Sequence, residues 1–238
     1  MPYEQLSDQQ VAAYLHLDLR EVQKLASRDR LPCRKVGGRF LFTKAEIDRW
    51  VEEQIHELDA DRLERIERGV RAHHGMDAEG LVVLPLIPEG GLAAPLDART
   101  RDAALRRLVD LAVECGRVYA PEDVLEDVRG REDLCSTAVA PGVALPHPPG
   151  PLPYDVAESF VVAGLTGAGI PFGAPDGSLT RLFFLVCCKE ERTQLHVLAR
   201  LARMVDSADA RAAVMNAAGP AELRAALLSR ERRLVGGG

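Results

Sequence analysis

The chain has 238 residues, a formal net charge of −6 and 47% apolar side chains, which excludes a disordered polypeptide. Its five cysteines are an odd number with no C-x-x-C pair, which argues against a disulfide framework and a zinc site and for a reducing compartment. The longest apolar run, Leu182 to Cys188, is far shorter than the roughly 18 residues of a membrane helix, and Met1 to Ser7 has no apolar signal core. A cytoplasmic protein without membrane insertion is expected.

Three helix starts of one kind crowd the first fifty residues: Ser7 with Gln10, Asp18 with Glu21, and Thr43 with Glu46. Each pair reads as a capping box, and each is flanked by an apolar staple: Leu6 with Val11, Leu17 with Val22, Phe42 with Ile47. They predict helices near 8–16, 19–28 and 44–56. Between the last two, Gly37-Gly38 separates two short β-type runs and predicts a tight hairpin. The order helix, turn, helix, hairpin, helix is a winged helix-turn-helix over residues 1–52.

Residues 53–78 read as a helical connector. Val51, Ile55, Leu58, Leu63, Ile66 and Val70 form one narrow apolar stripe on an extended helix, fit for a connector or a homodimer seam. The stripe skips five residues after Leu58, which weakens a coiled-coil reading. His73-His74 before Gly75 reads as a surface pair ending this helix, because adjacent histidines point to different sides and do not chelate one metal.

Residues 79–234 alternate helix and strand patterns. Helices are expected at Thr100–Cys115, from Pro121 as a first helical residue, at Gln194–Val205, and as two shorter ones after Ser207. Strands are expected at 138–139, 143–145, 160–163 and 182–188, the last buried and central. Gly164, Gly167 and Gly169 read as turn residues, since no Gly-Lys-Ser/Thr follows them as a phosphate loop requires. Residues 235–238 read as a flexible tail. The expected fold is an α+β two-domain chain: a small winged helix-turn-helix, a helical connector, and an α/β domain with a mixed sheet flanked by helices.

One segment carries chemistry: Gly130-Arg-Glu-Asp-Leu-Cys-Ser-Thr-Ala-Val-Ala-Pro-Gly-Val-Ala-Leu-Pro-His147. His147 sits between prolines at the end of an apolar strand, where a rigid backbone suits a nucleophile, a proton carrier or simply a capped loop histidine. The segment resembles the phosphorylation motif of the IIA domain of the bacterial phosphotransferase system, in its fructose/mannitol/nitrogen-regulatory class. Arg131, Glu132, Ser136, Thr137, Gly142, Val143, Ala144, Leu145, Pro146 and His147 stand in register with it. The resemblance implies that His147 accepts a phosphoryl group from a histidine phosphocarrier (HPr-like) protein. It then passes the group to a IIB component or keeps it as a mark, with Arg131 pairing to the phosphoryl oxygens. The family places a second histidine at the start of the helix after the buried strand. Here Gln194 aligns there and His196 follows two residues later, off the same helix face. Pro148, after the motif histidine, has no N–H to donate. No cofactor or metal is expected.

Residues 5 to 52 resemble the excisionase-type, MerR-like helix-turn-helix family through Ser7, Gln10, Val11, Ala12, Leu15, Leu17, Asp18, Leu31-Pro32, Gly37-Gly38, Phe42, Asp48 and Trp50. Between Arg20 and Arg49 nine basic side chains face four acidic ones, against the acidic balance of the whole chain. With Val22, Leu25 and Ala26 in the core, Arg20, Gln23, Lys24, Ser27 and Arg28 form an outward face suited to a major groove. Arg39 reaches flanking phosphate or the minor groove, while Trp50 is expected in the core. A protein-docking module of the same shape is the other reading. The expected function is a DNA-binding regulator that senses phosphotransferase state through His147. The alternatives are a phosphoryl-relay component of a sugar-uptake system and a degenerate, ligand-sensing regulator.

Overall fold

A computed structural model describes residues 4–76 and 80–236. The chain begins with strand β1 (Gln5–Ser7), helices α1 (Asp8–Leu15) and α2 (Leu19–Ser27), strands β2 (Arg34–Val36) and β3 (Arg39–Thr43), and helix α3 (Lys44–Gln54). The strands form an antiparallel sheet in the order β1-β3-β2. β1 is absent from the sequence reading because three residues are too few for alternation to register. Gly37 and Gly38 both have positive φ, +57° and +81°, as the expected wing turn requires.

Only the first capping box closes. Ser7 Oγ accepts from the Gln10 amide at 3.3 Å, and Gln10 Oε1 accepts from the Ser7 amide at 2.8 Å. Asp18 instead caps through the Arg20 amide at 2.7 Å. Thr43 makes no cap bond, since it is a paired strand residue whose hydroxyl accepts from Gln5 and whose neighbour Lys44 donates its amide to the Glu4 carbonyl. Leu6, Val11, Tyr14, Leu15, Val22, Leu31, Phe42 and Ile47 fill the core. Trp50 is half-buried at its edge rather than inside it, donating its indole N–H to the Arg30 carbonyl at 2.7 Å.

The expected single helix through 51–70 is broken. α3 gives way to one tight turn at Ile55–Glu57, Leu58 is extended, and Asp59 caps a new helix α4 (Ala60–His74) by accepting from the Arg62 amide at 2.7 Å. The five-residue skip in the stripe is this break. The stripe is buried within the chain, with Val51, Ile66 and Val70 in the first core and Ile55 and Leu63 in the second, so it presents no exposed seam to another copy. α4 ends at Gly75, φ +62°, and His73 lies against Tyr14 and Glu4.

The remaining elements are β4 (Leu92–Ala93), α5 (Arg101–Glu114), α6 (Pro121–Leu134), β5 (Ala138–Ala140), β6 (Val143–Ala144), β7 (Phe160–Pro171), β8 (Leu179–Cys187), α7 (Glu191–Met204), α8 (Ala208–Met215) and α9 (Pro220–Gly236). They form a mixed five-stranded sheet, β4-β7-β8-β6-β5, with β4 parallel to β7, β6 parallel to β8, and the other pairs antiparallel. Alternation along β8 feeds two cores: Leu182, Phe184 and Val186 on one face, Phe183, Leu185 and Cys187 on the other.

Three expectations need correction here. Gly164, Gly167 and Gly169 are not turn residues but lie inside β7, where a Cβ on Gly164 would come within 2.6 Å of the Leu96 side chain and one on Gly169 within 2.6 Å of Leu179. The last helix is not short: it runs 17 residues and carries through Gly236. The expected tail is helical up to that point, and its final two residues lie outside the described ones.

Candidate functional site

The motif histidine lies where β6 has ended, on a loop whose backbone is tied at both ends. The Leu145 amide donates to the Thr137 carbonyl at 3.0 Å, and the Val186 amide to the Pro146 carbonyl at 2.9 Å. The imidazole Nδ1 meets the Leu145 carbonyl at 2.7 Å. A carbonyl only accepts, so Nδ1 carries the proton and Nε2 keeps its lone pair. Burial lowers the His147 pKa to about 3, helped by the Arg131 charge and opposed by the Leu145 carbonyl, so the ring is neutral at physiological pH.

Arg131 and Glu132 come from the last turn of α6, just before the chain turns into β5. Glu132 accepts from the Thr137 amide at 3.1 Å and hydroxyl at 2.6 Å, pinning the loop that leads to the histidine. Ser136 donates to the Phe172 carbonyl at 3.0 Å. Arg131 donates to the Cys135 carbonyl at 2.9 Å through one terminal nitrogen, while its buried Nε has no partner among the described residues. His147 Nε2 and Gln194 Oε1 are likewise buried and unpartnered there. Buried polar atoms without partners are uncommon, and these three belong to one candidate site.

Gln194, on α7, donates Nε2 to the Pro148 carbonyl at 3.3 Å and so touches the histidine loop. His196 does not. It lies on another face of α7, with Nε2 3.2 Å from Glu67 of α4, in a buried network with Arg200 and Arg203. Two residues along a helix turn the side chain roughly to the opposite side, which is why both cannot serve one site.

The structure adds a residue that sequence reasoning missed. Glu52 of α3 is 6% exposed, its Oε1 accepts from Gln194 Nε2 at 3.0 Å, and its Oε2 stands 3.8 Å from His147 Nε2. Burial raises its pKa to about 8 against the lowering effect of the Gln194 bond. The available signal was an acid on the apolar side of its helix, beside Val51 and four residues after Asp48, itself buried and bonded to Lys44 at 2.5 Å and Tyr14 at 2.7 Å.

On the other side of the first domain, Arg20, Gln23, Lys24, Ser27, Arg28 and Arg39 are set on α2 and the wing, all of them exposed. Gln23 donates to Asp8 at 2.7 Å and Ser27 to the Lys24 carbonyl at 3.0 Å. The exposed wing strand adds Arg34 and Lys35 to this basic side. No helix is long and apolar enough to cross a membrane among the described residues.

A winged helix-turn-helix joined to a mixed-sheet domain with a neutral, loop-held histidine defines a two-part chain of the phosphotransferase IIA class. The chain belongs to the family described as phosphoenolpyruvate-dependent sugar phosphotransferase system, EIIA 2, whose model matches residues 87–230, more than half its length. Residues 6–55 match the model of a helix-turn-helix domain. The chain is 28% identical over 120 residues to a PTS system fructose-specific EIIA component of Haloferax volcanii, covering 50% of this chain and 76% of that one. Nitrogen regulatory protein IIA-Ntr of Neisseria meningitidis superposes with a TM-score of 0.55 at 26% identity, over 60% of this chain and 97% of that one. Enzyme IIA mannitol of Escherichia coli, solved in complex with phosphorylated enzyme IIB mannitol, has a TM-score of 0.50 at 21% identity, over 59% and 95%, a likeness of fold alone.

Proposed function

We propose that the chain is a cytoplasmic DNA-binding regulator whose IIA domain takes a phosphoryl group on His147 from a histidine phosphocarrier protein. The observation that carries this is the orientation of the ring: Nδ1 is held on the Leu145 carbonyl at 2.7 Å, which leaves a neutral Nε2 lone pair as nucleophile. In the transfer, Nε2 attacks phosphorus on an N-phosphohistidine donor. The donor's N–P bond breaks, its electron pair returns to the donor ring, and a new N–P bond forms on His147. Arg131 supplies fixed positive charge where the phosphoryl oxygens gather, and Gln194 a neutral donor in place of the family's second histidine. Arg20, Gln23, Lys24, Ser27 and Arg28 on α2, with Arg39 on the wing, are the DNA face.

Incubation of the full chain with phosphoenolpyruvate, enzyme I and the phosphocarrier tests this. An acid-labile gain of one phosphoryl mass is expected, absent in His147→Ala and slower in Arg131→Ala. A chain that stays unmodified beside a phosphorylated IIA control, in its native form and as Glu52→Ala alike, removes the acceptor role. Onward transfer to a IIB cysteine is the second reading, favoured by the family match over residues 87–230. It is distinguished by passage of the label to added IIB protein.

A further inference from the structure

Phosphoryl transfer to His147 needs an open approach to Nε2, and the described arrangement closes it. The histidine is 2% exposed, and the group over it comes from the other domain. Glu52 Oε2 lies 3.8 Å from Nε2, which leaves no room for a tetrahedral phosphoryl group between them. A cavity of about 10 Å³ remains beside the ring, lined by Glu52, Ile55, Thr137, Leu145, His147 and Leu198, enough for about one water. Glu52 also occupies Gln194 Nε2, the neutral donor assigned to phosphate above.

We propose that Glu52 is a built-in cover on the acceptor histidine, so that phosphorylation of His147 and docking of the helix-turn-helix domain on the IIA domain exclude each other. This rests on the acceptor reading of His147. The carboxyl places an oxygen beside the atom that must take the phosphoryl group, and α3, which carries it, packs against α7 next to the histidine loop. A phosphorylated His147 adds up to about two negative charges beside a buried acid, by analogy with other phosphorylated side chains. α3 must then leave. Linkage makes the effect reciprocal: whatever holds the first domain away from the second also exposes His147.

Two measurements on the full-length chain separate this inference from the reading beneath it. The first is carbethoxylation of His147 by diethyl pyrocarbonate, read by peptide mass, which reports access to Nε2 without phosphate. The native protein is expected to react at least about tenfold more slowly than Glu52→Ala, with the isosteric Glu52→Gln remaining slow. Equal rates in native protein and Glu52→Ala, both folded by circular dichroism, overturn the cover. The second is phosphate uptake with enzyme I and the phosphocarrier, where Glu52→Ala is expected to be labelled at least about tenfold faster. Equal labelling rates, with both proteins taking label, also overturn the cover. Protection from carbethoxylation that Glu52→Ala relieves, with no label in either protein, supports the cover and overturns the acceptor reading instead.

Discussion

His147 and Glu52 titrate in opposite senses. For His147 the folded value is depressed to about 3, so its contribution to the closed form is complete above the ordinary 6.5 and is lost as pH falls toward 3. For Glu52 the folded value is raised to about 8, so its contribution is complete below the ordinary 4.5 and is lost as pH rises through 8. Asp48, also raised by burial, acts in the same direction as Glu52. Stability of the full chain is therefore expected to be greatest between about pH 4.5 and 6.5 and to fall between 6.5 and 8. Urea midpoints across that range check it, and Glu52→Gln should flatten the alkaline fall; an unchanged slope in that variant contradicts the assignment. Of this site, His147 and Arg131 were legible because they share one continuous motif. Gln194 came only through the resemblance, by alignment with the family's helix. Glu52 was not legible, because its partner lies 142 residues away and no local pattern marks an approach across domains.

At the scale of elements, the stripe from Val51 to Val70 is apolar as its spacing predicts, but it is not one helix. Periodicity reports which residues are buried, not whether the backbone between them stays helical, and Asp59 is a better cap than an interior residue. The break lets α4 fold back against α1. A Cβ on Gly69 would lie 2.0 Å from the Tyr14 carbonyl oxygen, so the two helix backbones touch there. Gly69→Ala is expected to cost about 1–3 kcal/mol by overpacking, read as a lower thermal midpoint. On α2 the outward face is intact. Arg20→Ala/Lys24→Ala/Arg28→Ala is expected to reduce the log K against log salt slope by about 0.9 for each phosphate that one of these side chains neutralises. Unchanged affinity and slope would show that another surface meets DNA. The helix-turn-helix was legible down to its wing because caps, staples and the paired glycines are all local signals. β1 and β4 were not, because strands of two or three residues owe their existence to the partner they pair with.

Across the whole molecule, the two domains are joined by buried charge as well as by apolar packing. Glu67 of α4 accepts from His196, from Arg200 and from Arg203, whose bond is 2.6 Å. Burial alone would raise its pKa, but these partners pull it down to about 2. Arg200 also reaches Glu231 of α9 at 3.5 Å, and Glu231 in turn accepts the amides of Val82, Val83 and Leu84. Glu67→Ala leaves Arg200 buried with a weakened set of acceptors and is expected to cost about 3–5 kcal/mol. Differential scanning calorimetry should show the whole chain destabilised, whereas a fully independent pair of domains would lose stability in one transition only.

The shared core has a practical consequence for dividing the chain. Leu195 of α7 packs into the first domain's core, while Ile55 and Leu63 pack into the second. A fragment beginning near residue 79 would keep α7 but lose α3 and α4, baring Leu195 together with Arg200 and Arg203 in search of acceptors. Such a fragment is expected to express mostly as aggregate, and one starting at Asp59 to remain soluble, because α4 brings its own apolar stripe and Glu67 with it. Recovery of the two fragments in the soluble fraction would be the measure.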